Sequence, residues 1–195
     1  MITNLFEFFW LGAFILAFWH ISKTKSVADA AIFLIPAFAW GYFAEFTGVH
    51  IWGIYEYPDT YLMSLFGIPF GIAFGWATIK HVGYYLVTKV FRFGNFLNIE
   101  TAIVSTLIDF IILEPLAFVY KFWIWKQNDF WFGAPLFNFI GWFLIITLYL
   151  FTYNLVSQKF EDKKQQAFYF VLALIPAFII LQLAAWIYLN LFGWF

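Results

Sequence analysis

"FGIPFGIAFGW" (66–76) and "FGAPLFNFIGW" (132–142) place Phe, Gly, Pro, Gly and Trp at the same offsets. Each follows an aromatic-rich connection, "WGIYEYPD" (52–59) in the first copy and "FWIWKQND" (122–129) in the second. Each connection in turn follows an apolar run that ends near an acid, Glu45 in one and Glu114 in the other. The unit is therefore run, connection, run, used twice in one orientation. If the runs cross a membrane, such a parallel repeat implies a pseudo-two-fold axis along the membrane normal, with sites expected at the repeat interface.

The composition says that they do cross. The chain is 65% hydrophobic and 11% charged over 195 residues, with mean hydropathy +0.85. A soluble domain carries about 25% charged residues, so lipid must be the solvent here. Runs of about 20 apolar residues span a bilayer. Six are present: roughly 5–21, 27–47, 65–88, 99–120, 134–156 and 167–193. The expected fold is an all-α integral membrane protein of about six transmembrane helices. Helices 2–3 and 4–5 form the parallel internal repeat, and residues 1–195 make a single polytopic membrane domain. The first run follows Met1 with no basic segment, so it is expected to remain as a helix rather than be cleaved.

Lys23, Lys25, Lys89, Arg92, Lys159, Lys163 and Lys164 lie in alternate connections, against Lys121 and Lys126 in the others. Seven against two predicts that the connections around 44–60 and 121–131 are non-cytoplasmic. Both termini would then share that side. The net charge of −1 gives no reason to expect a nucleic-acid partner, and the oligomeric state is not specified. With no cysteine, the chain has no disulfide, thiolate nucleophile or iron–sulfur cluster. Three histidines (His20, His50 and His81) without HxxxH or HxxHH spacing do not make a membrane di-iron site. No dinucleotide fingerprint, P-loop or nucleophile elbow is present. The expected chemistry uses neither metal nor cofactor. His20 and His50 read as interfacial side chains, and Lys80 as a lysine snorkelling from a polar break in the third run.

Acids inside a span are costly and usually functional. Glu45 lies near the outer end of the second run, Asp109 in the middle of the fourth and Glu114 further out, before Pro115. Ordinary helical geometry would point Asp109 and Glu114 to neighbouring but different sectors. Carboxylates pairing with Lys121 or Lys126 would be the plainer reading of Glu45 and Glu114. A structural bond to Asn138 or Thr106 would be that of Asp109. Asn138 falls in the same outer half, with Tyr55, Tyr57, Trp123 and Trp125 above as an aromatic rim. A carboxylic acid kept from water can hold a proton near neutral pH and act as a general acid. Aromatic faces stabilise a cation. Together these groups can protonate an alkene in an apolar substrate.

The matching set Glu45, Gly48, Gly53, Tyr55, Tyr57, Asp109, Glu114, Pro115, Trp123, Trp125, Gly133, Pro135, Asn138, Gly141 and Trp142 covers about residues 36–145. In these motifs the chain resembles the carotenoid-biosynthesis membrane family of CruF-type carotenoid 1,2-hydratases, which includes the bisanhydrobacterioruberin hydratases. Glu114 stands where that family more often has Asp before the proline. The resemblance implies cofactor-independent hydration of the terminal C1–C2 double bond of an acyclic or monocyclic carotenoid, giving a tertiary alcohol. Asp109 or Glu114 would protonate C2, and Glu45 or Asn138 would position the water. Tyr55, Tyr57, Trp123, Trp125 and Trp142 would line the substrate site. The alternatives are a membrane lycopene or isoprenoid cyclase using the same protonation, or a non-catalytic carotenoid- or lipid-binding protein. A cyclic isobaric product would mark the first, and a coloured ligand held without turnover the second.

Overall fold

A chain segment in lipid must satisfy its backbone polar groups internally, and each apolar run does so as a helix. The computed structural model describes residues 2–126 and 130–192. The second connection is therefore described except for 127–129. In chain order the helices are α1 (Ile2–Thr24), α2 (Val27–Phe46), α3 (Phe70–Tyr85), α4 (Leu97–Ile108), α5 (Glu114–Tyr120), α6 (Leu136–Lys159) and α7 (Lys163–Leu191). Three π-helical turns interrupt or extend them: Thr47–Ile51 after α2, Leu86–Phe91 after α3, and Asp109–Leu113 between α4 and α5. Ser26 caps α2 by accepting from the Asp29 N–H, and Asp162 caps α7 by accepting from the Gln165 N–H.

Among the described residues, five rods are long and apolar enough to cross a membrane: 2–24, 27–51, 97–120, 136–159 and 163–191. Their outward faces carry exposed Leu16, Ile35, Ile111, Phe151 and Ile179, the surface that lipid covers. The sixth rod is α3 with its π turn, 70–91. Ten of the 16 residues of α3 are buried, Lys80 among them. It is the central helix, shielded by α1, α2 and α4, which is how it carries Lys80 and His81 without facing lipid.

The third and fifth runs begin later than their hydropathy suggests, for one shared reason. Before α3 the chain makes a hairpin of β2 (Ser64–Leu65) and β3 (Ile68–Pro69), turning at Phe66 and Gly67 with φ of 51° and 72°. Before α6 it does the same, with Trp131 bridged to Ala134 across Phe132 and Gly133, whose φ values are 48° and 84°. Positive φ at both central residues is what a two-residue hairpin needs. Glycine adopts it freely, and each phenylalanine is held there by its hairpin.

The repeat is thus visible in the backbone as well as in the sequence, and so is its axis. β1 (Tyr55–Glu56) and β4 (Ile124–Trp125) pair antiparallel across the two connections, with Glu56 opposite Ile124. These are corresponding positions of the two copies, so a two-fold passes between them. Deeper in, the corresponding Trp76 and Trp142 stack face to face, 3.9 Å between centroids and 22° between planes. Both connections therefore lie at one end of the bundle. The opposite end holds Lys25, Lys89 and Lys163 around a polar cavity of about 720 Å³.

Trp76 reaches the axis because Gly41 of α2 lets it pass: a Cβ at Gly41 would overlap the Cβ, Cγ and Cδ1 atoms of Trp76. Gly41→Val should push Trp76 off both its stack and its hydrogen bond to Glu45. Overpacking of this kind costs about 1–3 kcal/mol. The expected outcome is a lower thermal midpoint with altered tryptophan fluorescence in detergent; an unchanged midpoint would show that Trp76 does not anchor the axis.

Candidate active site at the repeat interface

Glu45 is in the last turn of α2 and 8% exposed. Three donors converge on it. Tyr55 Oη donates at 2.5 Å, Tyr57 Oη donates to the same oxygen, and Trp76 Nε1 donates to the other at 2.5 Å. Tyr55 and Tyr57 are therefore not a rim above the acid; they fold down and bond it. Burial, and then the neighbouring Glu45 carboxylate, push both phenols well above the usual tyrosine range. Each keeps its proton and serves as a donor.

Glu114 repeats this arrangement on the other side of the axis. It is 1% exposed. Trp123 Nε1 donates at 3.2 Å and Trp125 Nε1 at 3.1 Å, from the positions that correspond to Tyr55 and Tyr57. Asn138 Nδ2 supplies the third bond at 2.8 Å. Among the described residues neither glutamate is ion-paired: Lys126 pairs with Glu56 at 3.6 Å, and Lys121 lies over the Phe118 ring.

The same Asn138 Nδ2 donates to Asp109 Oδ2 at 2.8 Å. Asp109 and Glu114 therefore share one amide, contrary to the expectation that they diverge. The cause is the π turn. In an α-helix, residues five apart are rotated by about 140°. Here the Glu114 N–H bonds the Asp109 carbonyl, an i→i+5 closure that brings the two side chains onto one face. Pro115 contributes, because it cannot donate to the turn before it. The Phe110 carbonyl is taken instead by Trp131 Nε1 at 2.7 Å.

Between Glu45 and Glu114 lies a cavity of about 50 Å³, walled by Trp10, Trp76, Trp123, Trp125 and Trp142 and floored by Ile72 and Ile79. Asn138, Tyr55 and Tyr57 also face it. Asp109 does not line it. It stands behind Asn138, fully buried, with Oδ1 unbonded among the described residues. The structure thus gathers every candidate residue around one point, but in two ranks: Glu45, Glu114 and the aromatic set at the wall, Asp109 behind.

Lys80 does not snorkel. It is fully buried, donates to the Trp76 carbonyl at 3.2 Å and lies 4.7 Å from the Trp76 ring and 5.2 Å from that of Tyr149. His20 is not a solitary interfacial side chain: its Nδ1 is 3.0 Å from His81 Nε2, at the end remote from the acids. His50 bonds the Phe66 carbonyl at 2.7 Å and ties the first hairpin to the π turn.

Sequence reasoning passes over Glu7, Trp10 and the donor role of Trp76. Glu7 of α1 is fully buried and accepts the N–H groups of Leu62 at 2.8 Å and Met63 at 3.1 Å, which pins the first connection. An acid in the first run is itself the available signal.

Fold and site together define a multi-pass membrane protein whose carboxyls meet between two repeats inside an aromatic cage. The family model described as carotenoid biosynthesis protein matches residues 6–194, and the chain belongs to that family. No curated protein and no solved structure matches it.

Asn138→Leu would remove a donor from two buried carboxyls at once. Each unsatisfied buried group costs about 1–3 kcal/mol, more when charged, so a clear fall in thermal midpoint is expected. Adding Asp109→Leu should recover part of it, since removing both partners is cheaper than removing one. A double variant no more stable than Asn138→Leu would rule out the shared amide.

Proposed function

We propose that the protein is a carotenoid-modifying hydratase that adds water across the terminal C1–C2 double bond of an acyclic or monocyclic carotenoid. The observation that carries this reading is the pair of facing carboxyls, Glu45 and Glu114, across an aromatic-walled cavity of about 50 Å³. That is space for roughly three water molecules. Membership of the carotenoid biosynthesis family supports the substrate class.

In this mechanism Glu114 is the general acid. Its O–H bond breaks as a C–H bond forms at C2, leaving a tertiary cation at C1. The aromatic walls of the cavity, Trp10, Trp123 and Trp142 among them, stabilise that cation. Glu45, held by its three donors, orients a water; the water oxygen bonds C1 and its proton passes to Glu45. The proton taken up by Glu45 then passes back to Glu114, which restores both carboxyls, and the sum is alkene plus water giving a tertiary alcohol. Asp109 acts through Asn138 as a positioning residue, holding the amide that aligns Glu114.

Positioned proton transfer contributes about 10²–10⁴-fold. In cells making lycopene, the wild type should yield a 1-hydroxy product heavier by one water. Glu114→Gln and Glu45→Gln should each reduce it by at least about 10²-fold at equal protein abundance. A cyclic isobaric product would replace hydration with cyclisation, and unchanged yield in Glu114→Gln would remove that residue from the mechanism.

We also infer that the connections 52–59 and 122–129 face away from the cytoplasm, on the charge asymmetry of the two ends. The chain has no cysteine, so single substitutions report topology cleanly. Lys121→Cys should react with a membrane-impermeant maleimide in intact cells, and Lys164→Cys only after lysis. The reverse pattern would invert the orientation.

A further inference from the structure

The two copies of the repeat are not covered alike. In the first, α1 lies against α3 along Gly71 and Gly75. A Cβ at Gly71 would come 2.9 Å from the Glu7 backbone, and one at Gly75 would come 3.2 Å from the Trp10 indole. The groove beside α3 is thus closed, and Trp10 fills it.

In the second copy the corresponding residues of α6 are Phe137 and Gly141. Its neighbour is α7, which Phe137 meets through Tyr188, with ring centroids 5.0 Å apart and the planes tilted by 35°. A Cβ at Gly141 would meet nothing within 4 Å. The space left is a chamber of about 430 Å³ between α2, α6 and the outer half of α7, lined almost wholly by apolar side chains. Glu45, Tyr55, Trp76, Trp125, Asn138 and Trp142 wall both this chamber and the acid cavity. Exposed Ile187 and Leu191 stand at its outer side, where lipid would lie.

We propose that this chamber is the binding site for the linear isoprenoid chain that carries the reacting end group, reached sideways from the lipid between α2, α6 and α7. The proposal rests on the function proposed above and names the part of the substrate that this space holds. The first copy shows what suits such a groove: an aromatic side chain, flat and apolar. In the second copy an unsaturated hydrocarbon takes that place and points its end at Glu45 and Glu114. The lining is mostly apolar and adjoins the bilayer, with its polar groups gathered at the ends, so a hydrocarbon chain suits it better than a polar one, whose burial without enough partners is costly.

Across the chamber, α7 is tied to the π turn after α2 by one polar chain. Gln182 accepts from Trp52 Nε1 at 2.9 Å and donates to Thr47 Oγ1 at 3.2 Å. Pro176 lies within α7 below it and cannot donate to the helix's own ladder there, so α7 is the wall with a local weak point beside the chamber.

The test reads bound pigment, not turnover. Wild type, Gly141→Phe and Gly12→Phe are purified from lycopene-producing cells, and lycopene and its derivatives retained per protein are measured by absorbance. A Cβ at Gly12 of α1 would also meet nothing within 4 Å, but Gly12 lies away from the chamber, so it controls for added bulk. Gly141→Phe should retain at least about tenfold less pigment, with the elution profile and thermal midpoint of the wild type, and Gly12→Phe should match the wild type. If Gly141→Phe does not assemble, Ala185→Phe fills the same space from α7. Retention equal to wild type in the chamber variants, equal loss in Gly12→Phe, or no pigment on the wild type would overturn the proposal. Glu114→Gln separates the two readings: it should keep its pigment without hydrating it. Pigment bound by the wild type and lost in Gly141→Phe, with no product heavier by water, would leave the chamber standing and remove the hydratase reaction.

Discussion

A carboxyl group buried inside a lipid-embedded protein must find its donors within the protein, because lipid supplies none. This one requirement shapes the outer half of the molecule. Glu45 and Glu114 each draw a connecting segment down onto themselves, Tyr55 and Tyr57 in the first copy and Trp123 and Trp125 in the second. Once both segments are folded inward they lie side by side, and β1 pairs with β4 across the two-fold. The lip over the site is therefore a consequence of the acids beneath it. Glu7 does the same for the remainder of the first connection by accepting two backbone N–H groups at 62 and 63.

The two copies diverge where chemistry needs them to. Trp40 of α2 stands where the π turn after α4 has Asp109, and Ile72 of α3 stands where α6 has Asn138. In the first copy the third donor to the acid is Trp76, with no second carboxyl behind it. In the second the donor is Asn138, and it carries Asp109 as well. A symmetric scaffold thus ends with one carboxyl in a cage of phenols and indole, and another coupled through an amide to a third acid. Environments that differ in this way are what assign acid and base roles to chemically similar groups.

Much of the scaffold is legible in the sequence because it depends on local pattern. Apolar runs, the matched "FGxP" starts and the intramembrane acids are all periodic or compositional signals. What stays hidden depends on closure through space. The π turn at 109–113 has no propensity signature beyond Pro115, and it alone decides that Asp109 and Glu114 converge. Lys80 reads as a snorkelling lysine until α3 proves to be the central helix, with no path to an interface. Spacing puts the aromatic rim at the correct end, but burial of Tyr55 against Glu45 follows from the nine residues between them doubling back, which spacing alone does not reveal. The late starts of α3 and α6 escape a hydropathy reading because a hairpin built of Phe, Gly, Ile and Pro is as apolar as a helix.

The position of the site on the axis answers a difficulty that any reaction between water and a hydrocarbon must meet: the two reactants dissolve in different phases. The lip of paired connections lies at the end of the bundle, beside the ion-paired and exposed Glu56 and Lys126. The chamber opens instead beside α7, among side chains that face lipid. Glu45 and Asn138 wall both the acid cavity and the chamber, so in the reaction proposed here water and hydrocarbon would meet at the same atoms. For the reaction proposed here that meeting point is also where a cation must survive until water reaches it. Indole faces there favour the cation. The glycine that admits Trp76, the hairpins that set the starts of α3 and α6, and the π turn that aligns the acids all serve that one junction.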